Sequence, residues 1–412
     1  MTADGTNVVA RLAELARIGR HDAGISRGLA TPPERAARAL FAAWARTGGY
    51  DLTQDHVGNL FARRRGARAD AAPLLVGSHL DTVPTGGAYD GAYGVVAALC
   101  ALELLDARGL TTQRPVEAVA WVGEEGSRFP LGCLGSSVFA GIVAEREALA
   151  LVDDAGTSLG AALASPAGGL LDAIEPRRDR RVAAYLELHV EQGPVLERAG
   201  VALGIVTAIA GQRRYRAVVD GTSGHAGTVP MDGRSDALCA ASELILALEA
   251  AATRSGECVV TVGRIAVEPN GTNVIPGRAI FSIDARSPDD ARLDAIEDAL
   301  DAAVFDARRR RSVRIATQRL EARAPTPMNP ALRRVLRHAA ERFEPQALEV
   351  TSGAGHDAIA LAQIAPAAML FVPSIGGRSH VDAERTDDAD LEMGVEALAA
   401  ALVEVDAALA AN

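Results

Sequence analysis

An apolar run that leads directly into histidine and aspartate is the sequence feature that most constrains how this chain folds. Residues 73–76 predict a buried strand, and residues 116–122 predict a second one. The residues that follow them, in glycine-rich surroundings, are His79, Asp81 and Asp90 after the first strand and Glu124 and Glu125 after the second. Because ligands bind outside the carboxyl ends of sheet strands, we expect the two clusters to form one site. Histidine combined with carboxylates indicates a metal.

The order of predicted elements indicates an α/β layered domain, because strands and helices alternate along the first half of the chain. The predicted strands are residues 59–63, 74–76, 116–122 and 184–189, and the predicted helices are residues 31–46 and 91–106. Thr31 and Glu34 have the spacing of a capping box at the start of the first helix. The alternation resumes after residue 330 and ends in a helix over residues 388–409.

The pattern changes past Gly211, where an α+β unit similar to a ferredoxin-like split βαβ motif is predicted. Its predicted strands are residues 215–219, 258–265, 279–285 and 313–318, and its helices are residues 235–252 and 288–307. A proline-rich connection at residues 324–330 closes this unit. We therefore expect a discontinuous catalytic domain, residues 1–211 and 326–412, with residues 212–325 as an inserted second domain.

The overall charge excludes some classes of partner. The net charge of −11 argues against a nucleic-acid or anionic-membrane surface, since both require basic patches. The four cysteines are far apart and have no CxxC spacing, which indicates free thiols in a reducing compartment. With no secretory signal and no apolar run of about 18 residues, the sequence predicts a cytoplasmic protein without a membrane partner.

Three of the eight histidines lie beside acids or glycines at or near predicted strand ends: His79, His189 and His380. A single histidine in a strand is more often a core residue than a ligand. The combination with Asp90 and Glu125 favours a metal site. Imidazole and carboxylate ligands suit Zn, Mn, Co or Ni, and the spacing does not choose among them.

Five segments, taken in order, closely resemble the hydantoinase/carbamoylase branch of the M20 metallopeptidase-like amidohydrolases. They are residues 77–84, 124–129, 187–197, 225–231 and 352–358. This branch contains N-carbamoyl-L-amino acid hydrolases, β-ureidopropionases and allantoate amidohydrolases. The resemblance implies a mixed-sheet α/β metallopeptidase-like catalytic domain, and it implies that the inserted α+β domain is a lid that also forms a homodimer.

The resemblance also implies a site with two divalent metal ions. The implied ligands are Asp90 between the two ions, His79 and His189 on one ion, and Glu125 and His380 on the other. Asp81 is implied to orient the imidazole of His79. Glu124 is the implied general base, which takes a proton from water and delivers it to the leaving amine. Successive side chains diverge, so adjacent glutamates can have different roles.

The remaining site residues also follow from the resemblance. His225, supplied by the second subunit, is implied to stabilise the oxyanion of the transition state. The implied substrate-binding residues are Gln192, Gln212, Asn273, Arg286, Gly355 and His356. Arg286 suits a carboxylate, because a guanidinium can donate two parallel hydrogen bonds.

The implied reaction is hydrolysis of the ureido C–N bond of a small N-carbamoyl-L-α-amino acid. Allantoate amidohydrolase and β-ureidopropionase activities are the alternatives within the branch, and a metal-free binding protein is the alternative from another class. The chain departs from the branch after His380, where Val381 and Asp382 replace the usual Asn-Pro. This loop is therefore expected to influence substrate preference.

Overall fold

The computed structural model describes residues 7–177 and 179–410, and it confirms the predicted mixed α/β architecture. The helices are α1 (Val8–Leu15), α2 (Pro32–Thr47), α3 (Ala92–Ala107), α4 (Leu134–Phe139), α5 (Glu145–Ala150), α6 (Leu159–Leu163), α7 (Val195–Ala199), α8 (Ala237–Ser255), α9 (Asp290–Arg311), α10 (Pro330–Glu341), α11 (Ala358–Leu361) and α12 (Asp388–Ala410). A short 3₁₀ helix covers Ile375–Gly377. None of the described helices is long and apolar enough to cross a membrane.

The strands fall into one large sheet, one smaller sheet and two short ladders. They are β1 (Arg20–His21), β2 (Gly24–Ile25), β3 (Asp51–Gln54), β4 (Leu60–Arg64), β5 (Leu74–His79), β6 (Val116–Trp121), β7 (Glu175–Pro176), β8 (Ala184–Val190), β9 (Gly204–Ile209), β10 (Gly211–Asp220), β11 (Gly224–His225), β12 (Val259–Thr261), β13 (Ile265–Glu268), β14 (Val274–Ile275), β15 (Arg278–Ser287), β16 (Arg314–Arg323), β17 (Thr326–Pro327), β18 (Leu348–Ser352) and β19 (Ala367–Val372). The elements form two compact units, which are described separately below.

The first unit comprises the described residues up to Thr207 and from Met328 onward. Its sheet has the order β9-β19-β8-β5-β6-β4-β3-β7, with β18 also paired to β9. The four central strands, β19, β8, β5 and β6, run parallel and are buried along their whole length. Burial on both faces explains their nearly continuous apolar sequences. One face packs against α1, α2, α3, α10 and α12.

The carboxyl ends of these parallel strands meet at one edge of the sheet. In the β5–β6 pair, His79 is opposite Trp121, and in the β19–β8 pair, Phe371 is opposite His189. The segments that leave these four strands therefore start side by side. His79 and His189 lie at this edge, and the segments that carry Asp90, Glu124 and Glu125 start from it.

Helix α3 anchors the segment that follows β5, because it starts directly after Asp90 and Gly91 and is buried along nearly its whole length. Gly91 has a φ of 63°, and a Cβ atom at this position would lie 2.3 Å from the imidazole of His79. Only glycine combines the left-handed backbone with this close approach. The tight turn therefore brings Asp90 next to His79.

The second unit, Ala208–Pro327, has its own sheet and its own core. The strand order is β12-β15-β10-β16, with β13 also paired to β15, and all of these pairs are antiparallel. Buried and more exposed residues alternate along β10 and β15. Helices α8 and α9 cover the buried face, so the unit resembles the predicted split βαβ arrangement.

Two details of the second unit differ from the sequence prediction. The units change after Thr207 and Pro327, whereas the predicted boundaries follow residues 211 and 325. The predicted strand over residues 258–265 is wrong, because the structure divides it into β12 and β13. Thr261 pairs with Asp284 and Ile265 pairs with Phe281. The segment between Thr261 and Ile265 is therefore one residue longer than the facing segment of β15. The strand is therefore interrupted between Thr261 and Ile265, which a single sequence does not reveal.

The burial of α3 generates a prediction about stability. Replacing the fully buried Leu102 by alanine should lower the free energy of unfolding by about 2–5 kcal/mol, through lost burial and a residual cavity. Leu110, just beyond the helix, is 39% exposed and serves as the matched control, with an expected cost below about 1 kcal/mol for Leu110→Ala. Urea denaturation of both variants measures the difference. Equal losses would contradict the packing described for α3.

Candidate metal centre

The carboxylate of Asp90 is the centre of the candidate site, and its two oxygens face different neighbours. The Oδ1 atom lies 3.3 Å from Nε2 of His189 and 3.6 Å from Nε2 of His79. The Oδ2 atom lies 3.1 Å from Nε2 of His380. Asp90 is only 6% exposed, so the carboxylate is almost completely withdrawn from water.

His79 and His189 are oriented by backbone carbonyls. Nδ1 of His79 lies 3.0 Å from the carbonyl oxygen of Asp81, and Nδ1 of His189 lies 2.8 Å from that of Val190. Since a carbonyl only accepts hydrogen bonds, each Nδ1 carries the proton and donates it. The two Nε2 atoms therefore face Oδ1 of Asp90 and are the atoms available to a metal.

The second carboxylate oxygen of Asp90, Oδ2, belongs to a second group of possible ligands. Nε2 of His380 lies 3.6 Å from Oε2 of Glu125, in addition to its contact with Oδ2 of Asp90. His380 has a φ of 60°, an uncommon backbone conformation for a residue other than glycine. Such strain is characteristic of residues held in place for function.

The charges of these groups shift one another's pKa. Burial alone would raise the pKa of Asp90, but hydrogen bonds from His189, His380 and His79 outweigh it and hold the pKa well below its usual range. The hydrogen bond to Asp90 raises the pKa of His380 to about 9. Burial and the negative charge of Asp90 raise the pKa of Glu125 to about 7. Without a metal, these histidines act as the counter-charges of Asp90.

The donor set fits divalent metal ions. Two sets of three residues, each with donor atoms within 4.8 Å of one another, share Asp90: His79, Asp90 and His189, and Asp90, Glu125 and His380. A third set combines Glu187, His189 and His356. The carboxylate of Glu187 already accepts hydrogen bonds from Ser78, Tyr185 and the backbone of Ala358, so it suits a metal less well.

Glu124 lies beside this centre and is not a member of either set that includes Asp90. Its Oε2 atom is 3.7 Å from Nε2 of His79, and its Oε1 atom accepts a hydrogen bond from the Cys133 thiol at 3.3 Å. Burial raises the pKa of Glu124 well above its usual range, although the nearby His79 partly opposes this. A buried carboxylate of this kind can hold a proton near neutral pH.

Asp81, the residue expected to orient the imidazole of His79, contacts both that ring and the two glutamates after β6. Its carboxylate accepts hydrogen bonds from the backbone N–H groups of Glu124 and Glu125, at 3.1 and 3.2 Å. The closer contact with His79 comes from the backbone carbonyl of Asp81, while Oδ1 is 3.7 Å away. Asp81 therefore ties the segment after β5 to the two glutamates after β6.

Of the expected substrate-binding residues, Gln192, Gly355 and His356 belong to the first unit. Gln192 donates from Nε2 to Oδ2 of Asp90 at 2.8 Å, and its buried Oε1 atom has no hydrogen-bond partner among the described residues. His356 is buried, and its Nε2 atom forms a hydrogen bond with the hydroxyl of Ser352. The centroid of its ring lies 4.6 Å from that of His189. Gly355 is half-buried in the segment just before it. Substrate contact by these residues stays a prediction.

The other expected residues form two clusters within the second unit. His225 and Asn273 are joined through the short β11–β14 ladder, where the N–H of Ala226 donates to the carbonyl of Asn273. Gln212 and Arg286 are opposite each other on β10 and β15. Both side chains donate to the Asp284 carboxylate, Gln212 at 2.8 Å and Arg286 at 2.9 Å.

Sequence reasoning missed Glu384 and Ser379, which lie close to Asp90. Glu384 is 5% exposed and accepts hydrogen bonds from the N–H groups of Tyr89 and Asp90. Ser379 lies beside His380, and its hydroxyl is 3.0 Å from Oδ2 of Asp90. Neither residue carries a signal in a single sequence, because an acid in a polar loop usually faces solvent.

Comparison with known proteins agrees with this geometry. The model of peptidase family M20/M25/M40 matches residues 75–404. An N-carbamoyl-L-amino acid amidohydrolase of Geobacillus stearothermophilus is 38% identical over 398 residues, which cover 96% of this chain and 97% of that protein. An allantoate amidohydrolase of Bacillus subtilis is 38% identical over 378 residues, covering 92% of each chain.

A solved structure is similar over nearly the full length. It is an amidase of the hydantoinase/carbamoylase family from Burkholderia multivorans, with a TM-score of 0.92, 38% identity and coverage of 97% of both chains. Enzymes of the M20 family typically depend on divalent metals, which agrees with the donor set around Asp90. The chain belongs to the M20 peptidase family, with hydantoinase/carbamoylase amidases as its structural neighbours, and is an amidohydrolase acting on non-peptide carbon–nitrogen bonds.

Proposed function

We propose that the chain binds two divalent metal ions, with Asp90 as the ligand that they share. The observation that carries the proposal is that each Asp90 oxygen faces a different group of ligands. His79 and His189 complete one group, and Glu125 and His380 complete the other. Because each oxygen of Asp90 faces its own group of ligands, this carboxylate would be available to two ions at once, and the arrangement supports that role.

We further propose that the substrate is an N-carbamoyl-L-α-amino acid, hydrolysed at the ureido C–N bond to the amino acid, CO2 and ammonia. Support comes from relatives named N-carbamoyl-L-amino acid amidohydrolase, two of which cover 96% of this chain. When bound, the ions polarise the ureido carbonyl and lower the pKa of water. The remaining steps fall to the protein's own side chains.

Glu124 is the proposed proton carrier. Its raised pKa lets it hold a proton taken from water and deliver that proton to the leaving nitrogen. The thiol of Cys133 donates to Oε1, while Oε2 remains on the side of His79. The hydrogen bond therefore leaves one carboxylate oxygen directed toward the reacting centre.

The second unit is proposed to bind the polar ends of the substrate. Arg286 is suited to the α-carboxylate, because the partner it now contacts, Asp284, is itself a carboxylate. His225 pairs with Val274, the residue after Asn273, and we propose that His225 stabilises the oxyanion from a second copy of the chain. This second unit is then both a lid and the dimerisation domain.

Ammonia release from a substrate panel tests the proposed activity. With Mn²⁺ or Co²⁺ supplied, the chain should act on N-carbamoyl-L-methionine faster than on allantoate or N-carbamoyl-β-alanine. The Glu124→Gln variant is the control, since it removes the proton carrier and keeps the shape. It should lose about 10²–10⁴-fold in kcat.

Each other outcome of the panel contradicts a part of the proposal. Faster turnover of allantoate would contradict the proposed substrate and would favour allantoate amidohydrolase activity, for which several relatives are named. Faster turnover of N-carbamoyl-β-alanine would identify a β-ureidopropionase. Tight substrate binding without ammonia release, and with less than one equivalent of metal, would indicate a binding protein on the same fold.

Metal affinity should rise with pH, because metal ions must displace protons from their ligands. In the metal-free protein, the pKa is about 9 for His380 and about 7 for Glu125, so both groups hold protons below pH 7. Each displaced proton tightens binding about tenfold per pH unit. Titration calorimetry with Mn²⁺ at pH 6.5 and 7.5, in two buffers of different ionisation enthalpy, measures affinity and proton release. An affinity that does not change with pH would contradict the assignment of these ligands.

A further inference from the structure

We infer that Glu384 is a positioning residue, which fixes the direction in which Asp90 presents its two oxygens to the metal ions. The inference rests on the proposed two-ion site. Glu384 does not belong to either ligand group that contains Asp90. Its side chain nevertheless contacts the main chain on which Asp90 is carried, and it is 5% exposed.

The hydrogen bonds of Glu384 define the role. Its Oε1 atom accepts from the N–H of Tyr89 at 2.8 Å and from the N–H of Asp90 at 2.7 Å. Its Oε2 atom lies 3.3 Å from the hydroxyl of Ser379, which is itself 3.0 Å from Oδ2 of Asp90. Glu384 therefore contacts Asp90 through the backbone and also, through Ser379, at the carboxylate.

These contacts join two segments that each contribute a ligand. Asp90 lies in the segment between β5 and α3, whereas Glu384 is four residues after His380. Two hydrogen bonds from consecutive N–H groups to one carboxylate oxygen restrict rotation of the Asp90 peptide. Because His380 and Glu384 share one short loop, the same contact also sets the distance between His380 and Oδ2 of Asp90.

Gly87 provides an independent indication that the carboxylate of Glu384 is closely packed. A Cβ atom at position 87 would lie 2.4 Å from Oε2 of Glu384 and 2.6 Å from its Cβ atom. Gly87 is absent from the positive-φ residues, so an alanine there introduces a steric effect without backbone strain. Gly87→Ala thus displaces the Glu384 side chain while leaving its chemistry intact.

The test measures Co²⁺ binding to the full chain by calorimetry, together with the visible absorption of the bound Co²⁺. Glu384→Ala should weaken the affinity about 10–100-fold and change the absorption spectrum, as expected when a residue that supports a ligand is lost. Glu384→Gln keeps an oxygen acceptor for both N–H groups and should lose less than about tenfold. Gly87→Ala should reproduce part of the loss seen with Glu384→Ala.

Asp406→Ala is the matched control, because Asp406 is also a buried acid that accepts from two consecutive N–H groups, those of Gln113 and Arg114. Those residues precede β6, at the opposite end of the strand from the metal centre. Asp406→Ala should lower Tm and leave Co²⁺ affinity unchanged. A similar loss of affinity in this control would show a general effect of destabilisation and overturn the inference.

The remaining outcomes separate this inference from the proposed function. Wild-type affinity in Glu384→Ala, or an equal loss in Glu384→Gln and Glu384→Ala, would overturn the positioning role while the two-ion site stands. Failure of the wild-type chain to bind Co²⁺ at all would overturn the proposed two-ion function and, with it, the role of Glu384.

Discussion

The structure of the candidate site depends on one buried carboxylate, that of Asp90, which is negatively charged and surrounded by three imidazoles. A buried charge without partners would be very unfavourable, so the histidines must surround it closely. His79 and His189 face one oxygen and His380 the other. The same arrangement that neutralises the charge creates two ligand groups, and in this sense the electrostatics of the metal-free protein prepare the metal site.

The fold supplies this arrangement through the parallel core of the large sheet. Strand β5 ends at His79, β8 carries His189 one residue before its end, and β6 leads into the two glutamates at the same edge. The buried helix α3 then fixes the turn that carries Asp90. The candidate metal ligands are thus positioned by rigid elements, while the segments between them carry the contacts of Asp81 and Glu384.

The sequence predicts those features of the fold and of the site that depend on local pattern. Apolar strands followed by His79 and by Glu124 predict the α/β core and the sheet edge at which the two clusters meet. What a sequence does not reveal is which atoms meet. The Asp81 carboxylate accepts hydrogen bonds from backbone N–H groups, while its backbone carbonyl contacts His79, a division that the spacing of the two residues does not show. The position of Glu384 and the interruption between β12 and β13 are also set by tertiary contacts, which leave no periodic signal.

Anomalous diffraction from crystals grown with Mn²⁺ near pH 8 tests the two-ion centre most directly. Two peaks about 3.5–4 Å apart are expected, one on each side of the Asp90 carboxylate. One peak should be next to His79 and His189, and the other next to Glu125 and His380. A single peak at saturating Mn²⁺, or peaks that do not contact Asp90, would contradict the central role of this carboxylate.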